Sequence, residues 1–329
     1  MNVLVTGGAG YLGCRIVPRL LLRGHRVRVV DLGPLSIGQL PRQAHLEAVR
    51  LDLLQIVEDD KALKEIMHGC DAVVHLAAIS SDGAADRDAE TTRLLNVEAT
   101  KVLGQQALAT KARFVFSSSC AVYGSVDGVA DEDHSLDPQS RYAESKLEAE
   151  VALRSLATDD WSPITLRNGT LFGYSPRMRF DLVVNIFCLN STLHNEIKVF
   201  DGGRQWRPFV HVDDCARAFV HFVEHASPDH DCYNIGHVNA QVIDLVDIFR
   251  KLNPHLSVQV LDDGESDVRN YRVTSARAET QGFRARIDLE MGAEELMTAM
   301  VTGLVADPET ARQRIPTNKP DDASPERRG

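Results

Sequence analysis

Tyr142 and Lys146 are spaced for chemistry in this 329-residue chain. Residues four apart on a helix share a face, so the phenol and the ammonium group can point into one cleft. A neighbouring cation favours the phenolate and lowers the pKa of a tyrosine from its ordinary value of about 10. The pair therefore predicts a general base that takes a proton from a sugar or alcohol hydroxyl. A solvated helix face is the alternative when the pair is considered alone.

Three serines, Ser117, Ser118 and Ser119, follow one another at the end of a predicted strand over 113–117. Doubly wound parallel sheets bind their ligands at the carboxyl ends of the strands. A hydroxyl at this position can therefore hydrogen-bond the same substrate oxygen as Tyr142. Capping of the following turn is the alternative role, and we expect it for two of the three serines.

The glycines near the N-terminus predict a phosphate-binding turn. Gly8, Gly10 and Gly13 fit G-x-G-x-x-G between a predicted strand over 3–6 and a predicted helix over 13–23. Without side chains, the backbone can approach a pyrophosphate, whose charge the helix N-terminus stabilises. Asp31 ends the next predicted strand, where a carboxylate accepts hydrogen bonds from a ribose and repels a 2'-phosphate, so NAD is favoured over NADP. A glycine-rich turn without a ligand is the alternative.

Short β-branched segments alternate with longer helical segments over the first half of the chain. Strands are predicted at 3–6, 26–31, 48–52, 72–76, 113–117 and 164–167, and helices at 13–23, 89–110 and 140–156. This alternation predicts an α/β fold built on a doubly wound parallel sheet of the Rossmann type, with helices on both faces.

The alternation loosens beyond Gly173, where a helix around 181–193 and a polar loop over 201–207 are predicted. We predict an NAD-binding Rossmann domain over 1–173, with 208–235 returning to it. A smaller mixed α/β substrate-binding region is predicted over 174–207 and 236–306. The polar segment 307–329 is predicted to be a disordered tail.

Composition argues against several classes of partner. The 47 acidic and 36 basic residues give a formal net charge of -11, which disfavours nucleic acid and anionic lipid surfaces. The six cysteines form no CxxC pair, so they predict reduced thiols rather than a metal site or a disulfide framework. No apolar run is long enough to span a bilayer. We therefore expect a cytoplasmic protein that acts on a small molecule, without a metal, a membrane or a nucleic-acid partner.

These motifs together resemble those of the extended short-chain dehydrogenases/reductases of the nucleotide-sugar epimerase and dehydratase family. The resemblance extends to about Leu304 and rests on seven segments: TGGAGYLG (6–13), LDL (51–53), HLAA (75–78), NVEAT (96–100), SSSCAVYG (117–124), YAESK (142–146) and RPFVHVDD (207–214). It implies bound NAD, a nucleotide-diphosphate sugar as substrate, and a homodimer formed through the predicted helices 89–110 and 140–156.

The resemblance also implies roles for individual residues. The implied catalytic set is Ser119, Tyr142 and Lys146, with Cys120 considered as an auxiliary acid. The implied cofactor-binding residues are Gly7, Gly10, Tyr11, Leu12, Asp31, Asp52, Leu53, Leu76, Ala77, Ala78, Asn96, Tyr142 and Lys146. For substrate binding, the resemblance implies Ser118, Ser119 and Arg207, with a solvated surface arginine as the alternative for Arg207. Thr170 stands where many relatives have an asparagine that reaches the diphosphate. Arg177 and Arg179 are candidates for a phosphate or a substrate carboxylate, with an exposed cationic loop as the alternative, and Arg269 is a possible substitute for a family arginine that is out of register here. For His75 and Asn96 we expect chiefly a structural role, Asn96 as an organiser of the local backbone.

The residues after Ser119 narrow the implied reaction. Sugar 4,6-dehydratases of this family follow the catalytic serine or threonine with Asp and Glu, whereas this chain has Cys120 and Ala121. The resemblance therefore favours a 4-epimerase, in which hydride passes to NAD and returns to the other face of a transient 4-keto sugar. A 4-ketoreductase, a dehydratase and a decarboxylase remain alternatives on the same fold. A non-catalytic nucleotide sensor is the alternative from a different class.

Overall fold

The apolar segments of the chain form a seven-stranded parallel sheet. The computed structural model describes residues 1–33, 40, 43–225, 231–262, 269–305 and 308. The strands are β1 (Asn2–Thr6), β2 (Arg26–Asp31), β3 (Leu46–Arg50), β4 (Ala72–His75), β5 (Arg113–Ser119), β6 (Ile164–Asn168), β7 (Thr170–Phe172), β8 (Glu196–Val199), β9 (Trp206–His211), β10 (Cys232–Ile235), β11 (Val238–Gln241) and β12 (Ser257–Val260). The large sheet has the order β10-β6-β5-β4-β1-β2-β3.

Helices cover both faces of this sheet. The helices of the described residues, including those of the smaller region, are α1 (Gly13–Leu22), α2 (Asp60–Met67), α3 (Asp82–Arg87), α4 (Ala89–Arg93), α5 (Ala99–Thr110), α6 (Arg141–Arg154), α7 (Val183–His194), α8 (Val212–Glu224), α9 (Leu245–Leu252), α10 (Ala276–Thr280) and α11 (Leu289–Val301). Helices α1 and α8 pack on one face with Val3 and Val5, whereas α2, α5 and α6 pack on the other with Leu4. Neighbouring residues of β1 thus enter opposite cores, which confirms the predicted doubly wound sheet.

The later part of the chain builds a smaller mixed region with its own core. Strands β11, β9 and β7 form a three-stranded sheet in which β11 is antiparallel to β9, and β12 pairs with β8. Helices α7, α9 and α11 bury Phe187, Phe249 and Leu296 against these strands. Within the described residues, no helix combines the length and the apolar character needed to cross a bilayer.

The predicted domain boundaries do not coincide with every strand pairing in these two regions. Strand β7 lies within 1–173 yet pairs in the small sheet, whereas α8 and β10 lie within 208–235 and pack with the large sheet. The boundaries therefore stay a prediction. The predicted tail, 307–329, lies outside the described residues except for Pro308.

Three predicted elements differ from the structure. The third strand is β3, Leu46–Arg50 rather than 48–52, because pairing with β2 defines it while its own residues are mostly exposed and lack a clear apolar pattern. A π-helical turn at Leu94–Glu98 interrupts the predicted helix 89–110. Within the predicted loop 201–207, residues 206 and 207 already belong to β9, which pairs with β11.

The glycine turn between β1 and α1 is packed backbone to backbone. Gly7 has a φ of +69°, and a Cβ there would lie 2.8 Å from the backbone nitrogen of Ala77. A Cβ on Gly13 would lie 2.5 Å from the Gly7 carbonyl oxygen and 2.5 Å from Gly8 Cα. The turn can therefore hold its shape only while both positions lack a side chain.

We predict that Gly13→Ala weakens NAD binding at least tenfold and lowers the melting temperature, because the new methyl group displaces backbone that lines the turn. Gly24→Ala is the matched control. Its Cβ meets no described atom within 4 Å, so it incurs only the left-handed backbone strain at a φ of +83°. Calorimetric titration with NAD and thermal melts check both variants. Equal effects on NAD binding would contradict the crowding argument.

Candidate active site

A cavity of about 880 Å³ runs along the carboxyl ends of the central strands. It begins at the glycine turn and brings together most of the predicted site residues. Those that line it are Gly7, Gly10, Tyr11, Leu12, Asp31, Asp52, Leu53, Leu76, Ala77, Ala78, Ser118, Ser119, Thr170, Tyr142, Lys146, Arg179, Arg207 and Arg269. Asn96, Cys120 and Arg177 were predicted as site residues and do not line it.

Tyr142 lies in the first turn of α6 and lines the cavity together with Ser119, whose side chain lies near the phenol. The hydroxyl of Ser140 caps the helix by accepting from the backbone N–H of Ala143 at 3.3 Å. Burial raises the pKa of Tyr142, while Arg179 and the nearby Ser119 side chain oppose that rise. Our prediction of a lowered pKa is thus wrong for the chain by itself, because the loss of solvation outweighs the nearby positive charge.

Lys146 lies one turn further along α6 and is buried. Its Nζ donates to the carbonyl oxygen of Ser117 at 2.9 Å and lies 5.9 Å from the centre of the Tyr142 ring. Burial lowers the pKa of Lys146 to about 7, and Glu150 opposes that change. The amino group of Lys146 is therefore held in the cavity near the Tyr142 ring, and it can lose its charge near neutral pH.

The three serines have different partners. Ser119 caps the following 3-10 turn by accepting from the N–H of Ala121 at 3.1 Å. Ser117 accepts from Asn168 Nδ2 at 3.0 Å, and the Ser118 hydroxyl donates to Glu150. We expected two of the serines to cap the turn, and in the structure Ser119 takes that role because the other two hydroxyls bond to neighbouring elements.

A buried ion pair lies beneath these serines. Arg167 of β6 donates from Nη2 and Nε to Glu150 of α6 at 2.7 and 3.2 Å. The two side chains are 2% and 5% exposed. Arg167 also donates to the Tyr123 hydroxyl at 2.9 Å. This pair joins α6 to β6, and through Ser118 to the end of β5.

Asn96 holds the backbone of the cavity wall without lining it. Its Oδ1 accepts from the Ile79 N–H at 2.8 Å, and its Nδ2 donates to the Ile79 carbonyl at 2.9 Å and to Ser145 Oγ at 2.9 Å. His75 is likewise buried, with its ring nitrogens 2.6 Å from Thr6 Oγ1 and 2.8 Å from Thr100 Oγ1. Both residues therefore support the segment that follows β4.

Cys120 points away from the cavity. Its thiol donates to the carbonyl oxygen of Arg167 at 3.1 Å, and burial raises the pKa of the thiol far above its ordinary range. A proton donor for substrate must reach the cavity. The structure therefore favours a buried apolar thiol over the auxiliary acid role considered for Cys120.

The arginines that line the cavity are anchored. Arg179 donates to the Ser80 carbonyl at 3.2 Å and pairs with Asp181 at 2.5 Å. Arg207 donates to the Arg269 carbonyl at 2.5 Å, and Arg269 pairs with Asp82 at 2.6 Å. Arg179 lines the cavity together with Tyr142, and its positive charge opposes the rise in the tyrosine's pKa.

Several residues that line the cavity belong to none of the sequence motifs. Ser80, Asp82 and Asp181 line the cavity beside the predicted set, as do Asn190 and Gln205. Asp82 Oδ1, Asn190 Oδ1 and Gln205 Oε1 are buried and have no hydrogen-bond partner within the part of the chain that the structure describes. Their sequence contexts are ordinary polar loops and helix faces, so no pattern in the chain marked them.

The end of the cavity nearest the glycine turn fits a dinucleotide. Asp31 accepts from the N–H groups of Ala9 and Leu32 at 3.0 and 2.8 Å, which fixes the carboxylate next to the turn. Asp52 accepts from the Leu54 N–H at 3.0 Å and thereby fixes the wall beyond it. An open backbone cradle beside a carboxylate suits a pyrophosphate and a ribose. Among the described residues, no group of three or more His, Cys, Asp or Glu is arranged to hold a metal ion.

We predict that Lys146→Met changes how stability depends on pH. As pH rises from 7 toward about 10, Lys146 becomes neutral in the folded chain while it stays mostly protonated in the unfolded chain, so it makes the wild type more stable as pH rises. The difference in unfolding free energy, wild type minus Lys146→Met, should rise by about 1 kcal/mol per pH unit in this range. Urea unfolding at pH 7, 8 and 9 measures it, with the exposed Lys61→Met as control. A constant difference would contradict the burial argument.

We also predict strong coupling between Glu150 and Arg167. Glu150→Leu and Arg167→Met should each cost about 3–5 kcal/mol of stability, because each leaves a buried charge without its partner. The double variant should cost at least about 2 kcal/mol less than the sum of the two. Urea unfolding measures all three, and the exposed Glu148→Leu on the same helix should shift stability by less than about 0.5 kcal/mol. Additive losses would show that the two charges do not depend on each other.

Comparison with known proteins agrees with this geometry. The model of the NAD dependent epimerase/dehydratase family matches residues 3–236. A UDP-glucose 4-epimerase of Neisseria meningitidis serogroup A is 32% identical over 67% of this chain and 72% of its own length. A dTDP-glucose 4,6-dehydratase of Neisseria gonorrhoeae is 30% identical over 71% of this chain and 72% of its own length. Among solved structures, the UDP-glucose 4-epimerase of Thermotoga maritima with UDP-glucose has a TM-score of 0.83 at 26% identity, covering 92% of this chain and 100% of that one. The family resemblance predicted from the motifs is confirmed, and with it NAD as the cofactor.

Proposed function

The chain belongs to the NAD dependent epimerase/dehydratase family, and from that premise we propose that it is a nucleotide-sugar 4-epimerase. The observation that carries this proposal is the meeting of Ser119, Tyr142 and Lys146 at one end of a cavity that begins at the glycine turn. Homologues in this family act on nucleotide sugars as epimerases and as dehydratases. The choice of epimerisation rests on the chain's own residues.

We propose that NAD lies along the cavity from the glycine turn to Lys146. Gly7 to Leu12 would hold its pyrophosphate, Asp31 its adenosine ribose, and Asp52 and Leu53 its adenine. The segment from Leu76 to Ala78, with Tyr142 and Lys146, would hold the nicotinamide end. When bound there, NAD supplies a hydride acceptor that can later return the hydride.

Tyr142 would act as the base. Its oxygen would take the proton of the sugar C4 hydroxyl, while Ser119, which lines the same part of the cavity, would steady the same substrate oxygen. Burial opposes ionisation of Tyr142, so the positive charges near it decide whether the phenolate forms. Arg179 supplies such charge, and Lys146 adds to it while it is in its ammonium form. The proton returns from Tyr142 when the C4 centre has been inverted.

The substrate end is defined by Thr170 and the arginines. Arg207 presents a guanidinium group, which suits bidentate contact with a diphosphate. We propose that Arg207 holds the diphosphate while the 4-keto sugar turns over between its two faces. Arg177 does not line the cavity and is left out of this subsite.

The residues next to Ser119 favour epimerisation over water elimination. The adjoining 3-10 turn, Cys120–Tyr123, starts with a thiol and a methyl group, both buried. Neither can replace the acid and base that elimination requires. A 4-ketoreductase on the same site would differ in consuming reduced cofactor in proportion to product.

We further propose a cytoplasmic homodimer that associates through α5 and α6, which pack side by side against the large sheet. A twofold dimer is the commonest arrangement among soluble oligomers. Light scattering after size exclusion tests the stoichiometry.

We predict that Tyr142→Phe lowers kcat by at least about 10³, since it removes the atom that carries the proton, while the Kd for NAD stays within threefold. Tyr174→Phe is the control, because Tyr174 does not line the cavity. The assay follows conversion of UDP-, dTDP-, GDP- and CDP-hexoses to their 4-epimers by chromatography.

Two results would overturn this proposal. Wild-type protein with bound NAD that converts no sugar nucleotide of the panel is not a 4-epimerase. Turnover accompanied by stoichiometric loss of absorbance at the reduced-nicotinamide band would identify a reductase instead.

A further inference from the structure

Asp82 has a carboxylate oxygen in the cavity wall that accepts no hydrogen bond from any described residue. Its Oδ2 is 2.6 Å from Arg269 Nη1, whereas its Oδ1 is the buried atom that lacks a donor there. An unsatisfied buried acceptor costs about 1–3 kcal/mol, and more when it is charged. A donor from the molecule that occupies the cavity would remove that cost.

Asp82 lies in the wall of the same cavity as Tyr142. Asp82 is the first residue of α3, directly after the wall segment that contains Ser80 and lines the cavity. Its negative charge contributes to the raised pKa of Tyr142, behind burial as the main cause. The carboxylate lies in the wall of the same cavity as the phenol, and Arg269 joins it to Arg207, which would hold the diphosphate.

The charges around it are paired in a way that disfavours an acidic sugar. Arg179 has Asp181 as its partner, and Arg269 has Asp82. A carboxylate on the sugar would have to compete with these partners and would lie beside the negative charge of Asp82. A neutral sugar hydroxyl, by contrast, is the kind of donor that Oδ1 lacks.

We propose that Asp82 is a sugar-binding residue whose Oδ1 accepts a hydrogen bond from a hydroxyl of an uncharged hexose, so that the site selects hexoses over hexuronic acids. This inference rests on the proposed function, since it assumes a nucleotide sugar in the cavity. It adds the sugar class and the residue that selects it.

The test uses the full chain with bound NAD on the Tyr142→Phe background, which should hold a sugar nucleotide without converting it. Calorimetry measures Kd for three probes with the same base: the nucleoside diphosphate, its hexose and its hexuronic acid. We expect the hexose to bind at least tenfold more tightly than the hexuronic acid. Adding Asp82→Ala should weaken hexose binding at least tenfold, leave the free diphosphate within threefold, and tighten the hexuronic acid.

Asp86→Ala is the matched control. Asp86 lies on the same helix with its side chain 57% exposed and 3.5 Å from Arg141, so its removal should change none of the three constants. Equal weakening of the hexose and the free diphosphate by Asp82→Ala, or no change in either, would overturn the inference. If Asp82→Ala does not fold, tighter binding of the hexuronic acid than of the hexose by the parent protein would overturn it.

The proposed function and the role of Asp82 can fail separately. If no hexose nucleotide of the four bases binds better than its free diphosphate, the proposed function fails. If one binds but is insensitive to Asp82, only the role of Asp82 fails.

Discussion

The buried ion pair between Glu150 and Arg167 is the interaction on which the geometry of the candidate active site depends. It joins α6, which packs on one face of the large sheet, to β6, an inner strand of that sheet. Ser118 connects the pair to the neighbouring strand β5. Ser118 lies between Ser117, whose carbonyl holds Lys146, and Ser119, whose side chain lies near Tyr142. A shift of this pair would therefore move Tyr142, Lys146 and Ser119 together. Charges this deeply buried are strongly destabilising when separated, which makes the arrangement stiff.

The same exclusion of water governs the chemistry of the site. Burial raises the pKa of Tyr142 and lowers that of Lys146, so both groups are biased toward their neutral forms. A phenolate can form only where positive charge compensates for the lost solvation. Arg179 contributes such charge from the loop before α7. The site is thus sheltered from water, and ionisation of Tyr142 depends on the charges of its neighbours.

A second set of contacts ties the cofactor end to the substrate end. The Tyr11 hydroxyl, which belongs to the glycine turn, donates to the Gly173 carbonyl at 2.7 Å, and Ser175 donates back to the Tyr11 carbonyl at 2.6 Å. Asn185 of α7 donates to the Tyr11 hydroxyl oxygen at 3.1 Å and to the Arg179 carbonyl oxygen at 2.9 Å. The turn that would hold the pyrophosphate and the loop that carries Arg179 are therefore one connected structure. The residues that would grip the two ligands are positioned by each other.

Local patterns in the chain were sufficient for the sheet, the glycine turn, the acidic residue at the end of β2 and the spacing of Tyr142 and Lys146. Alternating apolar segments, missing side chains and helical periodicity are short-range properties, and they predict the same features wherever the chain folds. Four features were decided only by the tertiary structure. They are the raised pKa of Tyr142, the direction of the Cys120 side chain away from the cavity, the supporting role of Asn96 and the position of Asp82 in the cavity wall. Each of these depends on which distant residues surround a group, because solvation and charge act through space. The partners that decide them, such as Arg179 for Tyr142 and Arg269 for Asp82, lie tens to nearly two hundred positions away along the chain.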